Sequence, residues 1–226
     1  MEILYKDKNM LAVYKPAGIP SQKDPSADAD AMTICSQELM RSGDKNCTLY
    51  PIHRLDRVVG GIIVFARNKE YAALLSEIIS EHRAEKEYLS VVDGLAEGGI
   101  LTDYIYKDAR AGKSFIADRK RAGVKEAKLE YAPLSSIESD GGVKTLVKVR
   151  LHTGRFHQIR VQFASRHMPI VGDGKYGSRD SIAKLPALFA FRLAFEINGK
   201  RYEFKKLPDT EKYPWSLFDY DGKALL

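Results

Sequence analysis

His53-Arg54-Leu55-Asp56-Arg57-Val58-Val59-Gly60-Gly61-Ile62-Ile63-Val64-Phe65-Ala66 sets a carboxylate between two arginines and follows it with an unbroken apolar run. The segment from Gly61 to Ala66 is too short to cross a membrane and too continuous for a half-exposed strand, so it predicts a strand buried on both faces. Asp56 then lies at the mouth of a rigid core element. Taken alone, the acid has two readings: a loop carboxylate paired with Arg54 or Arg57, or a carboxylate held ready for chemistry. Structural ion pairs are commoner than active sites, so these few residues favour the first.

Outward from this stretch, 226 residues at 44% hydrophobic content suffice for one sizeable core, and a single domain over residues 1–226 is expected. No repeat, low-complexity tract or Pro/Ser-rich linker divides the chain, and the only soft boundary is the polar stretch SQKDPSADAD at 21–30. The charged N-terminus lacks the apolar core of a signal peptide, and no segment approaches a membrane span. These features point to a cytoplasmic, soluble protein with no membrane partner; oligomeric state is not legible, and a monomer without an obligate protein partner is the default expectation. Cys35, in a predicted helix, and Cys47 have neither zinc-site spacing nor disulfide-scaffold density, and are expected to be reduced.

Leu11-Ala12-Val13-Tyr14 reads as a strand ended by Lys15-Pro16-Ala17-Gly18. Asn68 is placed to cap a helix with apolar residues at Tyr71, Leu74, Leu75, Ile78 and Ile79, running to about His82. Strands are predicted in EYLSVVDG, KLEYAPLSSI and VKTLVKVRL, and in LFAFRLAFEI and KRYEFKKL, joined as a hairpin at Asn198-Gly199. Thr153 is placed to cap a third helix reaching about His167, with His157 and Arg160 on one face. Many strands with three substantial helices predict an α+β fold, a largely antiparallel mixed sheet core with flanking helices.

The net charge of +6 and the clustering of Arg54, Arg57, Arg119, Lys120, Arg121, Arg150, Arg155, Arg160 and Arg166 suit a polyanionic partner. Several chemistries find no support. His53, His152, His157, Asp56 and Asp173 lack the spacing of a metal site, there is no Gly-x-Ser-x-Gly elbow, and no phosphate-binding glycine loop is present. Asp56 and Asp173 could in principle form a glycosidase pair, but the surrounding arginines would leave neither as a raised-pKa acid. A single ionised Asp held by arginine points to a nucleophile or an electrostatic stabiliser.

Several motifs then stand in one order along nearly the whole chain: Lys15-Pro16-Ala17-Gly18; His53-Arg54-Leu55-Asp56 with Gly61 and its strand; Lys86-x-Tyr88-x-Ser90-x-Val92-x-Gly94; Lys125-Glu126-Ala127 through Tyr131; Thr153-Gly154-Arg155-Phe156-His157-Gln158-Ile159-Arg160; and Gly172-Asp173-x-x-Tyr176-Gly177. This set resembles the RluA-type RNA pseudouridine synthases. Departures from the family pattern are Ser90 for an Ala, Val59 and Gly60 for a common Thr-Ser, and Gln162 and Phe189 where His is frequent.

The resemblance implies a pseudouridine synthase-like catalytic domain acting on ribosomal or transfer RNA, with no N-terminal S4-type RNA-binding domain. Asp56 is then the nucleophile, Tyr88 the active-site tyrosine and Arg160 the partner of the acid. No cofactor and no metal are implied, because the reaction involves neither redox change nor energy input. The uridine has to leave its stack, at a cost of a few kcal/mol. Arg54 is expected to fill the gap, His53 to hold the loop or touch the RNA backbone, and Arg155 and His157 to lie on the RNA-binding face.

Overall fold

The computed structural model describes residues 1–26, 28–139 and 141–219. In chain order the elements are β1 (Glu2–Lys6), β2 (Met10–Lys15), α1 (Ala31–Arg41), β3 (Tyr50–Pro51), β4 (Gly60–Ala66), α2 (Lys69–Ser80) and β5 (Glu85–Asp93). They continue with β6 (Gly99–Asp108), β7 (Lys113–Ala117), β8 (Val124–Ser139), β9 (Gly142–Leu151), α3 (Gln158–Ala164), β10 (Leu188–Ile197) and β11 (Lys200–Lys205). The described residues divide into two compact units, Met1–Glu85 with Ala190–Leu207, and Lys86–Phe189 with residues 208–219. As the many predicted strands with three helices imply, the fold is α+β. Among the described residues no helix is long and apolar enough to cross a membrane.

In the first unit the strands lie in the order β1-β2-β4-β10, with β11 paired to β10 and β3 to β4. All seven residues of β4 are buried, which is what an apolar run without alternation requires. Its side chains sort by parity. Ile62 and Val64 join Met10, Ala12, Leu193 and Phe195 beneath Leu75 and Ile78 of α2, whereas Ile63 and Phe65 join Leu11 and Val13 beneath Cys35 and Leu39 of α1. Both helices start on side-chain caps: Asp30 accepts from the Thr33 amide at 3.0 Å and Asn68 from the Tyr71 amide at 2.9 Å. Both cysteines are free thiols, and burial pushes that of Cys35 up to about 11. The β10–β11 hairpin turns at Asn198 (φ 51°) and Gly199 (φ 74°), the pair of left-handed residues that a tight hairpin turn demands.

In the second unit every strand pairing is antiparallel, in the order β5-β9-β8-β6-β7. Helix α3 packs Val161 against Ile105 of β6 and Ala127 of β8, with Tyr176 in the same cluster. It starts at Gln158, later than the sequence suggested, because Thr153 does not cap it. The Thr153 hydroxyl instead donates to Gln158 Oε1 at 2.8 Å and accepts from the Lys128 amide at 2.8 Å, while His157 sits in the left-handed region at φ 54°. Residues 153–157 are therefore a turn tied to β8, and His157 precedes the helix.

Candidate active site

Asp56 lies in the short loop that enters β4, and the sequence immobilises that loop from several sides. Lys15, at the end of β2, is fully buried, and its ammonium donates to the carbonyls of Ile19 (2.7 Å), Pro16 (3.0 Å) and Arg57 (3.3 Å). Burial lowers its pKa to about 8, opposed by the nearby negative charge of Asp56. The Ser21 hydroxyl accepts from the Leu55 amide at 3.0 Å and donates to the Leu55 carbonyl at 2.8 Å. Gly18 N–H donates to Arg57 O at 2.8 Å, and Val59 N–H closes a turn on Asp56 O at 3.0 Å. His53 Nε2 accepts the Val64 amide at 3.1 Å, fastening the start of the loop to β4.

The flanking arginines do not pair with Asp56. Arg57 turns its guanidinium to Gly18 O (3.0 Å), Ser26 Oγ (2.9 Å), Asp24 (3.9 Å) and Asp28, so it braces Gly18, Asp24, Ser26 and Asp28 of the segment after β2. Arg54 is exposed, with no hydrogen bond or ion pair among the described residues. The partners of Arg57 thus lie before Asp56 in the chain, not at Asp56 itself. Lys15, which the sequence showed only as part of a Lys-Pro turn, is a buried cation that feels the charge of Asp56. Its signal was a lysine closing a strand whose other residues are apolar.

In the second unit, half-buried Tyr88 stands on β5 opposite Val149. Ser90, in register two residues on, is buried and donates to Ala187 O at 2.9 Å, which accounts for a hydroxyl at this position. Arg160 is 4% exposed and held in a fork, Nε to Asp173 Oδ2 at 2.6 Å and Nη2 to Asp173 Oδ1 at 2.8 Å. Its guanidinium carbon lies 5.0 Å from the centre of the Tyr176 ring. The Tyr176 hydroxyl accepts from Ser114 N–H at 2.7 Å and lies 2.9 Å from His157 Nδ1. Asp173 and Tyr176 thus orient Arg160, a role that the Gly172-Asp173-x-x-Tyr176 spacing contained but did not disclose.

His157 is buried, stacked on Phe156 with ring centres 3.8 Å apart. Desolvation, followed by the charges of Arg160, Lys175 and Lys107, brings its pKa down to about 3, so the imidazole is neutral at physiological pH. Arg155 Nε donates to Glu126 O at 2.7 Å, which anchors part of its guanidinium to β8. Of the departures from the family pattern, Gln162 is buried and gives its amide to Asp103 at 2.7 Å, a carboxylate shared with Arg166 at 3.0 Å. Val59, Gly60 and Phe189 are buried apolar positions. Among the described residues no three or more His, Cys, Asp or Glu side chains gather as a metal ion would need.

Residues 9–165 match the RNA pseudouridylate synthase family. The tRNA pseudouridine synthase C of Haemophilus ducreyi is 36% identical over 187 residues, covering 78% of this chain and 74% of that protein. An RNA pseudouridine synthase of Aquifex aeolicus is 34% identical over 95% of this chain and 72% of its own length. The ribosomal large subunit pseudouridine synthase D of Xanthomonas campestris is 32% identical over 88% of this chain and 57% of its own. In fold, the chain resembles human RNA Pseudouridylate Synthase Domain Containing 4, with a TM-score of 0.75, 24% identity, and coverage of 92% of this chain and 89% of that one. With its motifs in order and its match over more than half its length, the chain belongs to the RNA pseudouridylate synthase family.

Proposed function

We propose that the chain converts uridine to pseudouridine in transfer or ribosomal RNA with Asp56 as nucleophile, Tyr88 as stacking ring and proton acceptor, and Arg160 as the cation of the reaction. It does so as a cytoplasmic monomer. The observation that carries the reading is the immobilisation of the Asp56 loop: a buried ammonium gathers three carbonyls around it, and Ser21 clamps the preceding residue. A carboxylate on a surface loop with no chemical duty has no need of such support.

The carboxylate of Asp56 attacks ribose C1′ as the bond from C1′ to N1 breaks, and the uracil leaves with that electron pair. After rotation of the base, C5 attacks C1′ and Asp56 is released. The proton on C5 then passes to Tyr88 acting as its phenolate, and N1 takes up a proton from water. Exposed Arg54, with no hydrogen bond or ion pair among the described residues, is suited to fill the gap left by the flipped base. His53 holds the loop through the Val64 amide. Arg155 lines the RNA face, and buried His157 contributes there through the Tyr176 hydroxyl and Arg160. Asp56→Asn keeps the shape, removes the nucleophile, and relieves a charge that repels phosphate. Pseudouridine mapping on transcripts of tRNA and rRNA should show no product with this variant, while filter binding shows RNA retained. Turnover above about a thousandth of wild type would remove Asp56 from the nucleophile's role, given the 10⁶-fold or larger accelerations typical of enzymes.

A further inference from the structure

Lys86 is two residues before Tyr88 on β5, so the two side chains leave the same face of the strand. It is half-buried, and no hydrogen-bond acceptor or carboxylate partner is found for its ammonium among the described residues. Burial alone lowers its pKa. The amine lies beside the turn of residues 153–155: a Cβ placed on exposed Gly154 would sit 3.6 Å from Lys86 Nζ. The absence of a side chain at 154 leaves the ammonium open on that side, and Arg155 follows directly in the chain. A desolvated cation with no internal anion, opening beside a glycine and an arginine, is the chemistry of a phosphate site.

We infer that Lys86 seats an RNA backbone phosphate at the turn of residues 153–155, next to the nucleotide that Tyr88 receives. The inference rests on the assignment of Tyr88 to the substrate uridine. The contact orders the strand on one side of the flipped nucleotide, so Lys86 is a positioning residue and not a catalytic one.

The test is the salt dependence of binding to a transcript that the wild-type protein modifies. Lys86→Met should lower the slope of log affinity against log salt by about 0.7–0.9, the share of one phosphate. It should raise KM while leaving kcat within a few-fold. Lys86→Arg, which keeps the charge, should restore the slope. Gly154→Val closes the space beside the ammonium without removing the charge, and should weaken binding in the same salt-dependent way even if Lys86→Met folds poorly. A wild-type slope in Lys86→Met, or no recovery with arginine, would overturn the inference. Failure of the Tyr88 assignment reads out separately, as wild-type tritium release from Tyr88→Phe with the Lys86 slopes unaffected.

Discussion

At the scale of single residues, the arrangement around Asp56 divides labour between cations. Lys15 builds the loop, Arg57 braces the segment before it, and Arg54 is the exposed cation that the proposed function assigns to the substrate. Tyr88 can be tested for its two tasks separately. Tyr88→Phe keeps the ring, so it should bind RNA like wild type yet release tritium from carbon-five-labelled uridine at least about a hundredfold slower, the lower end of general-base catalysis. Tyr88→Ala should also lose about 1–3 kcal/mol of base stacking. Release by Tyr88→Phe within about tenfold of wild type would leave the ring as a platform only. His157 gives a pH prediction. Its folded pKa of about 3 lies below the ordinary 6.5, so the unfolded chain binds the extra proton first, and stability is lost as pH falls from 6.5 toward 3. At about 1.4 kcal/mol per pKa unit, this should amount to a few kcal/mol. His157→Asn suits the left-handed backbone and cannot titrate there, so its urea midpoint should drop less between pH 7 and pH 4 than that of wild type.

Among the elements, β4 controls the first unit. Gly61 has φ 131°, and a Cβ there would lie 2.3 Å from Ala190 O and 2.5 Å from Ala190 N. Backbone cannot yield as a side-chain tip can, so Gly61→Ala should cost about 3 kcal/mol or more. For a chain of this size that corresponds to a thermal midpoint lower by about 6–12 °C, measurable by circular dichroism. An unchanged midpoint would mean that β4 and β10 can separate at no cost. The same strand shows what could be read in advance. Its uninterrupted apolar run announced burial on both faces, Asn68 announced α2, and Asn198-Gly199 announced the hairpin, because each is a local signal with one physical cause. β6 was not legible: Ile100 and Tyr106 are exposed while only Leu101 and Ile105 are buried, so its pattern has no clean alternation. The start of α3 was misread because a threonine that could cap was committed to the Gln158 side chain. The catalytic candidates were legible only through their order along the chain. Their supports, Lys15, Asp173 and Tyr176, act through burial and partner geometry that no spacing reveals.

For the molecule as a whole, the excess of +6 charge matters less than where carboxylates are missing. Arg192 and Arg201 are absorbed by Glu85 and Glu203, and Arg67 by Asp44. Lys107 and Lys113, by contrast, lie over aromatic rings, 4.6 Å from the centre of Phe156 and 4.9 Å from that of Tyr176, without a carboxylate partner among the described residues. Replacing both with Gln should reduce the salt slope of RNA binding by roughly 1.4–1.8, at about 0.7–0.9 per contact. An equal double replacement at Lys6 and Lys206, which pair with Asp44 and Glu2, should change it little. A slope insensitive to Lys107 and Lys113 would take that surface off the RNA path. The division of the chain also has a temporal side. The first unit takes its first part from Met1–Glu85 and its last from Ala190–Leu207, so β4 has no β10 beside it until the ribosome has made more than a hundred further residues. During synthesis β4 therefore waits with one edge covered only at Phe65 and Ala66, by β3, and it is over that interval, not in the finished enzyme, that a nascent chain needs protection from its neighbours.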